Sequence, residues 1–438
     1  MKKRLLALAI ALTLSSCDSS STSAVATTAD TKVSATFMVG SDLHYFSPSL
    51  LTSTASADYH AYLAGDRKMI AESPALLHSF LDSARKVRPS FVLLTGDLTK
   101  DGEEKSHQDL ADSLATLKAL GIKVYVLPGN HDVYNPESMS YASAGATKVA
   151  NVSDARFAAI YHDFGYGEAL SRDTASLSYV AEPVPGLWIL AMDACRWKDN
   201  VGAASETVGG RFLPQTVAWI KARLAEAKAK GKVVVGGMHH GINEHFAGQS
   251  TNPISKDYVV AGFDSLGTAF TAAGLKVVFT GHFHANDIAS RATASGSLVD
   301  IETGSLVTSP SPFRLGSIAD SVLTVRSSRI REIRYDLGGQ NFVDYSSNYL
   351  LTGMKAISVY TLVGMGVDSA IANMLAPTIA GSYAAHYAGD EVMPASAVQT
   401  VGLLKSQATE NSLYLASSIQ ALYTDAAPAD SAGNFPLR

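Results

Sequence analysis

Cysteine is nearly missing from this chain: Cys17 and Cys195 are the two in 438 residues. With Cys17 inside a leader-like segment, Cys195 has no partner, so no intramolecular disulfide holds the fold and a core has to. An excess of positive charge is missing too, since 35 lysines and arginines face 40 acidic residues for a net charge of −5. Loss of Lys2, Lys3 and Arg4 with a cleaved leader makes the balance more acidic still. No basic patch draws the chain toward nucleic acid or an anionic membrane surface. The third absence is a long apolar run. Leu5 to Leu14 is too short to span a bilayer comfortably, and Leu351 to Leu375 is broken by Lys355, Asp368 and several glycines, which reads as a buried helix pair. No internal repeat occurs. Apolar residues, at 47% of the chain, are plentiful enough for one large domain and a smaller one.

The N-terminus has the layout of an export signal: three basic residues, the apolar run, then small residues before Cys17. Leu14-Ser15-Ser16-Cys17 resembles the bacterial lipobox, which implies cleavage before Cys17 and a lipid on that residue. The expectation is a protein of the bacterial cell envelope, anchored by lipid to the extracytoplasmic or periplasmic face of a membrane. Residues 1–17 are then the signal peptide with its lipid-bearing cysteine. Residues 18–34, rich in Ser, Thr and Ala, read as a flexible tether.

From residue 35 onward, short β-branched runs alternate with polar turns and amphipathic stretches, the pattern of an α/β domain. The runs are Ala35 to Val39, Phe91 to Leu94, Val124 to Leu127, Leu187 to Met192, Val233 to Val235 and Val277 to Thr280. Helices are expected at Ala75 to Val87, Lys105 to Leu120 and Pro214 to Lys230, and further strands at Leu298 to Ile301, Ser321 to Val325 and Arg329 to Tyr335. The catalytic domain is expected over residues 35–340, with a smaller, mainly helical region over 341–438.

Five polar clusters each follow an apolar run: Asp42-Leu43-His44, Gly96-Asp97, Gly129-Asn130-His131-Asp132, His239-His240 and Gly281-His282-Phe283-His284. Carboxyl ends of strands in an α/β sheet share one edge, so five such clusters can converge there. Asp42 and His44, like His282 and His284, are two apart and project to one side in extended chain. Two aspartates, an asparagine and four or five histidines make a mixed nitrogen and oxygen donor set. That set suits Mn, Fe or Zn over Ca or Mg, and it exceeds what one ion needs, so two divalent ions sharing a carboxylate are expected.

The order DxH, GD, GNHD, H, GHxH, with the flanking text DLHYFSP, GDLTKDGEEKSH and IETGSLVTSPSPFR, resembles the calcineurin-like metallophosphoesterase superfamily over roughly Thr36 to Pro312. The resemblance implies a four-layer αββα sandwich. It implies that Asp42, His44, Asp97 and His284 hold one metal, and that Asp97 bridges to a second held by Asn130, His239 and His282. Whether His239 or His240 is the ligand stays open. The implied reaction is hydrolysis of a phosphate ester, phosphodiester over monoester, by a hydroxide held between the two ions. His131 is implied to stabilise the transition state or protonate the leaving oxygen, with Asp132 orienting its ring. Lys100 stands where purple acid phosphatases carry a tyrosine, so a tyrosinate-bound ferric ion is not expected.

Cys195 reads as a packed thiol, and Tyr45, Tyr134 and Phe283 as packing before pocket lining. His107, His162 and His245 read as surface or locally bonded, His245 having the better chance of meeting substrate. The alternative function is a metal-stabilised envelope interaction lipoprotein with little catalysis, and a metal-dependent hydrolase of another ester is a third. Loops 133–161 and 199–211 are expected to set substrate choice, and neither the substrate nor the oligomeric state follows from the sequence.

Overall fold

The computed structural model describes residues 32–51, 56–143, 145–389, 391–424 and 427–438. The expected leader with Cys17, and the tether up to residue 31, lie outside the described residues.

The described chain runs β1 (Ser34–Gly40), α1 (Ala57–Ala64), α2 (Ser73–Val87), β2 (Phe91–Leu94), α3 (Glu104–Lys118), β3 (Lys123–Val126), the short pair β4 (Met139–Ser140) and β5 (Thr147–Lys148), and α4 (Asp154–Ile160). It continues with β6 (Ser171–Arg172), β7 (Tyr179–Val184), β8 (Leu187–Ala191), α5 (Pro214–Ala229), β9 (Val233–Gly237), α6 (Phe263–Ala273) and β10 (Val277–Thr280). Then follow β11 (Ile288–Thr293), β12 (Gly296–Glu302), β13 (Pro312–Ala319), β14 (Val322–Arg329), α7 (Phe342–Gly364), α8 (Ser369–Ala388), α9 (Ala395–Gln407), α10 (Glu410–Ala421) and β15 (Ala432–Pro436).

Two sheets result. One has the order β15-β14-β13-β1-β2-β3, the other β11-β12-β10-β9-β8-β7-β6. Their inner faces meet in a common core, where Phe37 of β1 meets Phe279 of β10 edge-on at 5.6 Å. Strand alternation assigns the faces of the second sheet. Tyr179, Ile189, Val235 and Phe279 point into the shared core, while Val180, Leu190, Val234 and Val278 face α5 and α6. On the far side of the first sheet, Leu76 and Phe80 of α2 and Leu110 and Leu114 of α3 close the outer layer. The fold is therefore a four-layer αββα sandwich. Pro214 opens α5 without losing a needed hydrogen bond, and Arg88, in the left-handed region, closes α2.

Several segments differ from the sequence reading. Residues 330–335 form no strand, because only Ile330 of the charge-rich Ile330-Arg331-Glu332-Ile333-Arg334-Tyr335 is buried and the chain leaves the sheet after Arg329. Among the strands absent from that reading is β13, which Arg314 and Ser317 interrupt, although it pairs antiparallel to both β1 and β14. The C-terminal region is four helices, as its composition suggests, but its last strand β15 returns to pair with β14. No helix among the described residues is long and apolar enough to cross a membrane.

The topology positions the chemistry. β1, β2 and β3 run parallel, as do β8, β9, β10 and β12, so the residues after β1, β2, β3, β9 and β10 emerge at the carboxyl ends of both sheets. Pairing continues past the strand ends: Asp42 N donates to Gly96 O, His44 N to Asp97 O, and Gly281 N to His239 O. The loops that carry the polar clusters are thereby registered against one another.

Candidate metal centre

Among the described residues, five of the 11 non-glycine residues with positive φ are Asp42, Asp97, His44, His282 and His284. Left-handed backbone at such residues costs of order 1–3 kcal/mol each and persists where the surroundings over-determine it. The turns aim these side chains off the strand ends toward one point.

There, Asp42, His44 and His284 bring one ligand atom each to within 4.8 Å of one another, and so do Asp97, His239 and His282. His44 Nε2 faces His284 Nε2 at 3.4 Å, and Asp42 Oδ1 lies 3.4 Å from the latter. Asp97 sits between the two groups, its Oδ2 3.6 Å from His44 Nε2 and 3.4 Å from His239 Nε2. Asn130 Oδ1 joins the second group at 3.2 Å from His239 Nε2. The seven residues that the sequence singled out as ligands are thus gathered in one buried cluster.

The open choice between His239 and His240 has a geometric answer. His240 turns away, its Nε2 donating to Val208 O at 2.9 Å, whereas His239 donates from Nδ1 to Thr95 O and presents Nε2 to Asp97 and Asn130.

These residues fit a pair of metal ions. Asp42 Oδ1 and His282 Nε2 are buried with no hydrogen-bond partner, a costly state that a cation relieves. Burial pushes the His44 and His282 rings well below their ordinary pKa and His284 down to about 4, so all three offer unprotonated nitrogens. His239 is the exception: against burial, the Asp97 carboxylate pushes it up to about 9. The proton there answers the charge of Asp97, and a divalent ion answers the same demand. Glycines make the space. A Cβ on Gly129 would lie 2.0 Å from Asp97 Oδ1, one on Gly96 2.5 Å from His239 Nδ1, and one on Gly281 1.9 Å from Ser41 Oγ. Outer contacts fix the ligands: Ser41 Oγ and His282 N donate to Asp42 Oδ2, and Thr308 Oγ1 holds His284 Nδ1 at 3.0 Å.

His131 stands beside the cluster, partly exposed, with its backbone N–H on Asp97 Oδ1 and its Nε2 3.9 Å from Asp97 Oδ2. Its ring is not oriented by Asp132. Nδ1 meets Asp101 Oδ1 at 2.9 Å, which fixes the ring and leaves Nε2 facing the cluster. Burial opposes charge on this ring, but Asp97 and Asp101 outweigh it and push its pKa up to about 9. Asp132 does other work: its carboxylate accepts from Leu98 N, Thr99 N, Thr99 Oγ1 and Gly129 N, clamping the loop after β2 to the loop after β3. Four short-range donors saturate it, and none of its capacity is left for His131.

Lys100 explains how Asp101 is held. It is buried among the rings of Tyr62, Phe46 and Tyr141, 4.3 Å from the first, and pairs with Asp101. On the far side of His131, Glu206 Oε1 lies 3.9 Å from Nε2 and is hydrogen-bonded to Glu137, whose carboxyl that bond pushes up to about 7. Arg67 and Lys68, from the turn before α2, bring positive charge to the other wall: Arg67 lies close to the Tyr387 phenol of α8, and the charge of Lys68 helps depress His44. Asp101 and Lys100 belong to the GDLTKDGEEKSH stretch, but an acid on a loop carries no marker of its role. Glu137 and Glu206 come from the two loops expected to set substrate choice.

Of the three other histidines singled out in the sequence, two are buried. His107 is buried, bonded to Tyr161, Thr99 and the carbonyl of Asp132. His245 is buried against Asp287, Asp300 and Glu302, which keeps it from substrate. His162 is exposed, as expected of a surface residue. Tyr45 and Phe283 are packed, and Cys195, half-buried, points its thiol at Pro128 O with burial pushing its pKa up.

Among solved structures, the chain is similar to a dimetal phosphatase from Danio rerio at 15% identity and a TM-score of 0.44, covering 67% of this chain and 96% of that one. It is similar to the sulfate thiohydrolase SoxB of Thermus thermophilus at 12% identity and a TM-score of 0.34, covering 73% and 60%. Vps29 from Entamoeba histolytica aligns at 13% identity and a TM-score of 0.25, covering 71% and 94%. No curated protein matches the chain. The calcineurin-like phosphoesterase family matches residues 35–286, more than half of the sequence, and the chain belongs to that family.

Proposed function

We propose that this metallophosphoesterase cleaves phosphodiesters in preference to monoesters, outside the cytoplasm, while tethered to a bacterial membrane by lipid on Cys17. The observation that carries the catalytic part is the His131–Asp101 pair. A metal site kept for stability has no use for an imidazole held 3.9 Å from its central carboxylate by a second buried acid.

Asp42, His44 and His284 on one side of Asp97, and Asn130, His239 and His282 on the other, would hold two divalent ions. When bound, such ions supply Lewis acidity to the phosphoryl oxygens and lower the pKa of water between them. The chain's own groups do the rest. Asp101 holds the Nδ1 proton of His131, so Nε2 is the atom that hands a proton to the departing oxygen. Glu206, beside Nε2, passes a proton from water back to the ring or disfavours a second negative charge on the substrate. That last effect supports the diester preference, because a diester brings one negative charge where a monoester brings up to two. Lipid tethering rests on Leu14-Ser15-Ser16-Cys17 and the polar tract behind it.

The test is hydrolysis of bis(p-nitrophenyl) phosphate against p-nitrophenyl phosphate with added Mn, using the chain from Ser19 with His131→Ala as control. Diester turnover that His131→Ala removes supports the reading. A monoester preference overturns the substrate class, and absence of turnover in protein shown to contain metal overturns the enzyme.

A further inference from the structure

The loop between α7 and α8 and the helix ends that flank it expose a run of large apolar side chains. Tyr360 is 84% exposed and Met374 69%, and Val363, Met365 and Ile371 are exposed between them. Over residues 359–374 the only charged side chain is Asp368, and its carboxylate is committed to capping α8 through Ala370 N and Ile371 N. A contiguous apolar tip with its single charge occupied is a surface that water does not favour.

Directly behind the tip lies a cavity of about 80 Å³ between α7, α8 and α10. Its lining includes Leu362 and Met365 beside the tip, Ile379 and Met354, and also Tyr383 and Phe246. Those last two rings pack on Phe283, at 6.2 Å and 5.7 Å, and Phe283 is the residue between the candidate ligands His282 and His284. Tyr383 also meets Tyr387, the residue beside Arg67. An apolar cavity thus begins at an exposed apolar tip and ends one ring away from the metal centre, where Arg67 and Lys68 supply positive charge.

We infer that the α7–α8 tip enters a lipid surface and that the cavity takes the hydrocarbon chain of a membrane phosphate ester whose phosphate reaches the metal centre. Charge and polarity match such an amphiphile: a mostly apolar cavity for the chain, cations and metal ligands for the headgroup. At about 10–15 Å³ for each water-sized group, the cavity admits about five to eight methylene-sized groups. The helices are too short in apolar length to span a bilayer, so the contact is interfacial. This inference rests on the phosphoesterase reading above and gives the helical region its role in choosing substrate.

Two arms test it. The chain from Ser19, which lacks Cys17 but keeps the compact unit Lys32–Arg438, is floated with phosphatidylcholine vesicles. Wild type is expected with the vesicles and the Tyr360→Glu, Met374→Glu double variant in the lower fraction, at unchanged melting temperature because both positions are exposed. Second, kcat/KM is measured for alkyl p-nitrophenyl phosphates from methyl to octyl. The expected rise is up to about fourfold per methylene until the cavity is filled, expressed mainly in KM. Ser358→Leu, which fills the cavity, is expected to flatten that rise and leave the methyl ester unchanged. A flat chain-length profile in an enzyme that turns over the methyl ester overturns the inference, as does wild type that stays off the vesicles. If the methyl ester itself is not cleaved, the phosphoesterase reading fails and the vesicle arm alone decides the membrane contact.

Discussion

Replacing Asp101 with asparagine removes the charge that orients His131 and keeps the two residues nearly isosteric. The bond at stake is a charge-assisted one of 2.9 Å between Nδ1 and a buried carboxylate. Such bonds contribute about 1.5–3 kcal/mol, which corresponds to a loss of about 10- to 150-fold in kcat if the ring acts on the leaving oxygen. The loss has a signature. A proton donor matters most for a poor leaving group, so alkyl esters are expected to suffer the full loss and p-nitrophenyl esters much less. Asp101 also answers the buried Lys100, whose remaining partners are Glu103 at 3.9 Å and the Tyr62 ring. The single variant is therefore expected to lose stability as well, and adding Lys100→Met is expected to restore the melting temperature without restoring kcat. Asp132→Asn is the contrast. It turns an amide NH2 toward two of the four donors that Asp132 accepts, at about 1–3 kcal/mol each, so stability falls and all leaving groups suffer alike. The assay is kcat at saturating Mn for paired aryl and alkyl diesters, with thermal denaturation of each variant. Leaving-group-dependent loss in Asp132→Asn, with none in Asp101→Asn, would refute the assignment of Asp101 as the orienting residue.

Three further outcomes are expected. Gly129→Ala places a methyl 2.0 Å from Asp97 Oδ1 and is expected to abolish binding of both ions, read as metal per chain by mass spectrometry. Gly353→Ala drives α7 against the backbone of Asp66 and Arg67, where the Cβ would sit 2.5 Å from Asp66 O. Overpacking of that kind costs about 1–3 kcal/mol and is expected to loosen the Arg67 wall, seen as a raised KM. His107 has a pKa pushed by burial down to about 3 from 6.5. The folded ring stays neutral while the unfolded ring takes up a proton, so its contribution is present above pH 6.5 and is lost as pH falls toward 3. By pH 5 that loss is about 2 kcal/mol, so unfolding of His107→Asn in urea is expected to show a correspondingly smaller drop between pH 7 and pH 5.

The sandwich was legible because its strands are buried on both faces. Phe91 to Leu94 and Val277 to Thr280 read as unbroken apolar runs, and the structure has β2 and β10 there. β13 was not legible: Arg314 and Ser317 interrupt it, and it is held by partners on either side rather than by its own pattern. At the candidate site, ligands two apart on a strand end carry a visible spacing, and the gathering of Asp42, His44, Asp97, His239, His282 and His284 follows from parallel strands. Residues that act on His131 had no such spacing. Asp101 and Glu206 are carboxylates on loops, distinguished only by the turns that bring them to the ring, and Asp132, adjacent to His131 in sequence, points the other way. Arg67 and Tyr387 are 320 positions apart and meet because α7 and α8 fold back over the carboxyl edge of the sheets.

Titrating the metal-free protein with Mn while following hydrolysis of bis(p-nitrophenyl) phosphate tests the central claim most directly. Turnover is expected to climb to a plateau at two equivalents per chain, and Asp97→Asn, which removes a carboxylate oxygen from between the two groups of ligands, is expected to show no plateau at all. A plateau at one equivalent, or turnover that does not depend on added metal, would contradict a two-metal centre built around Asp97.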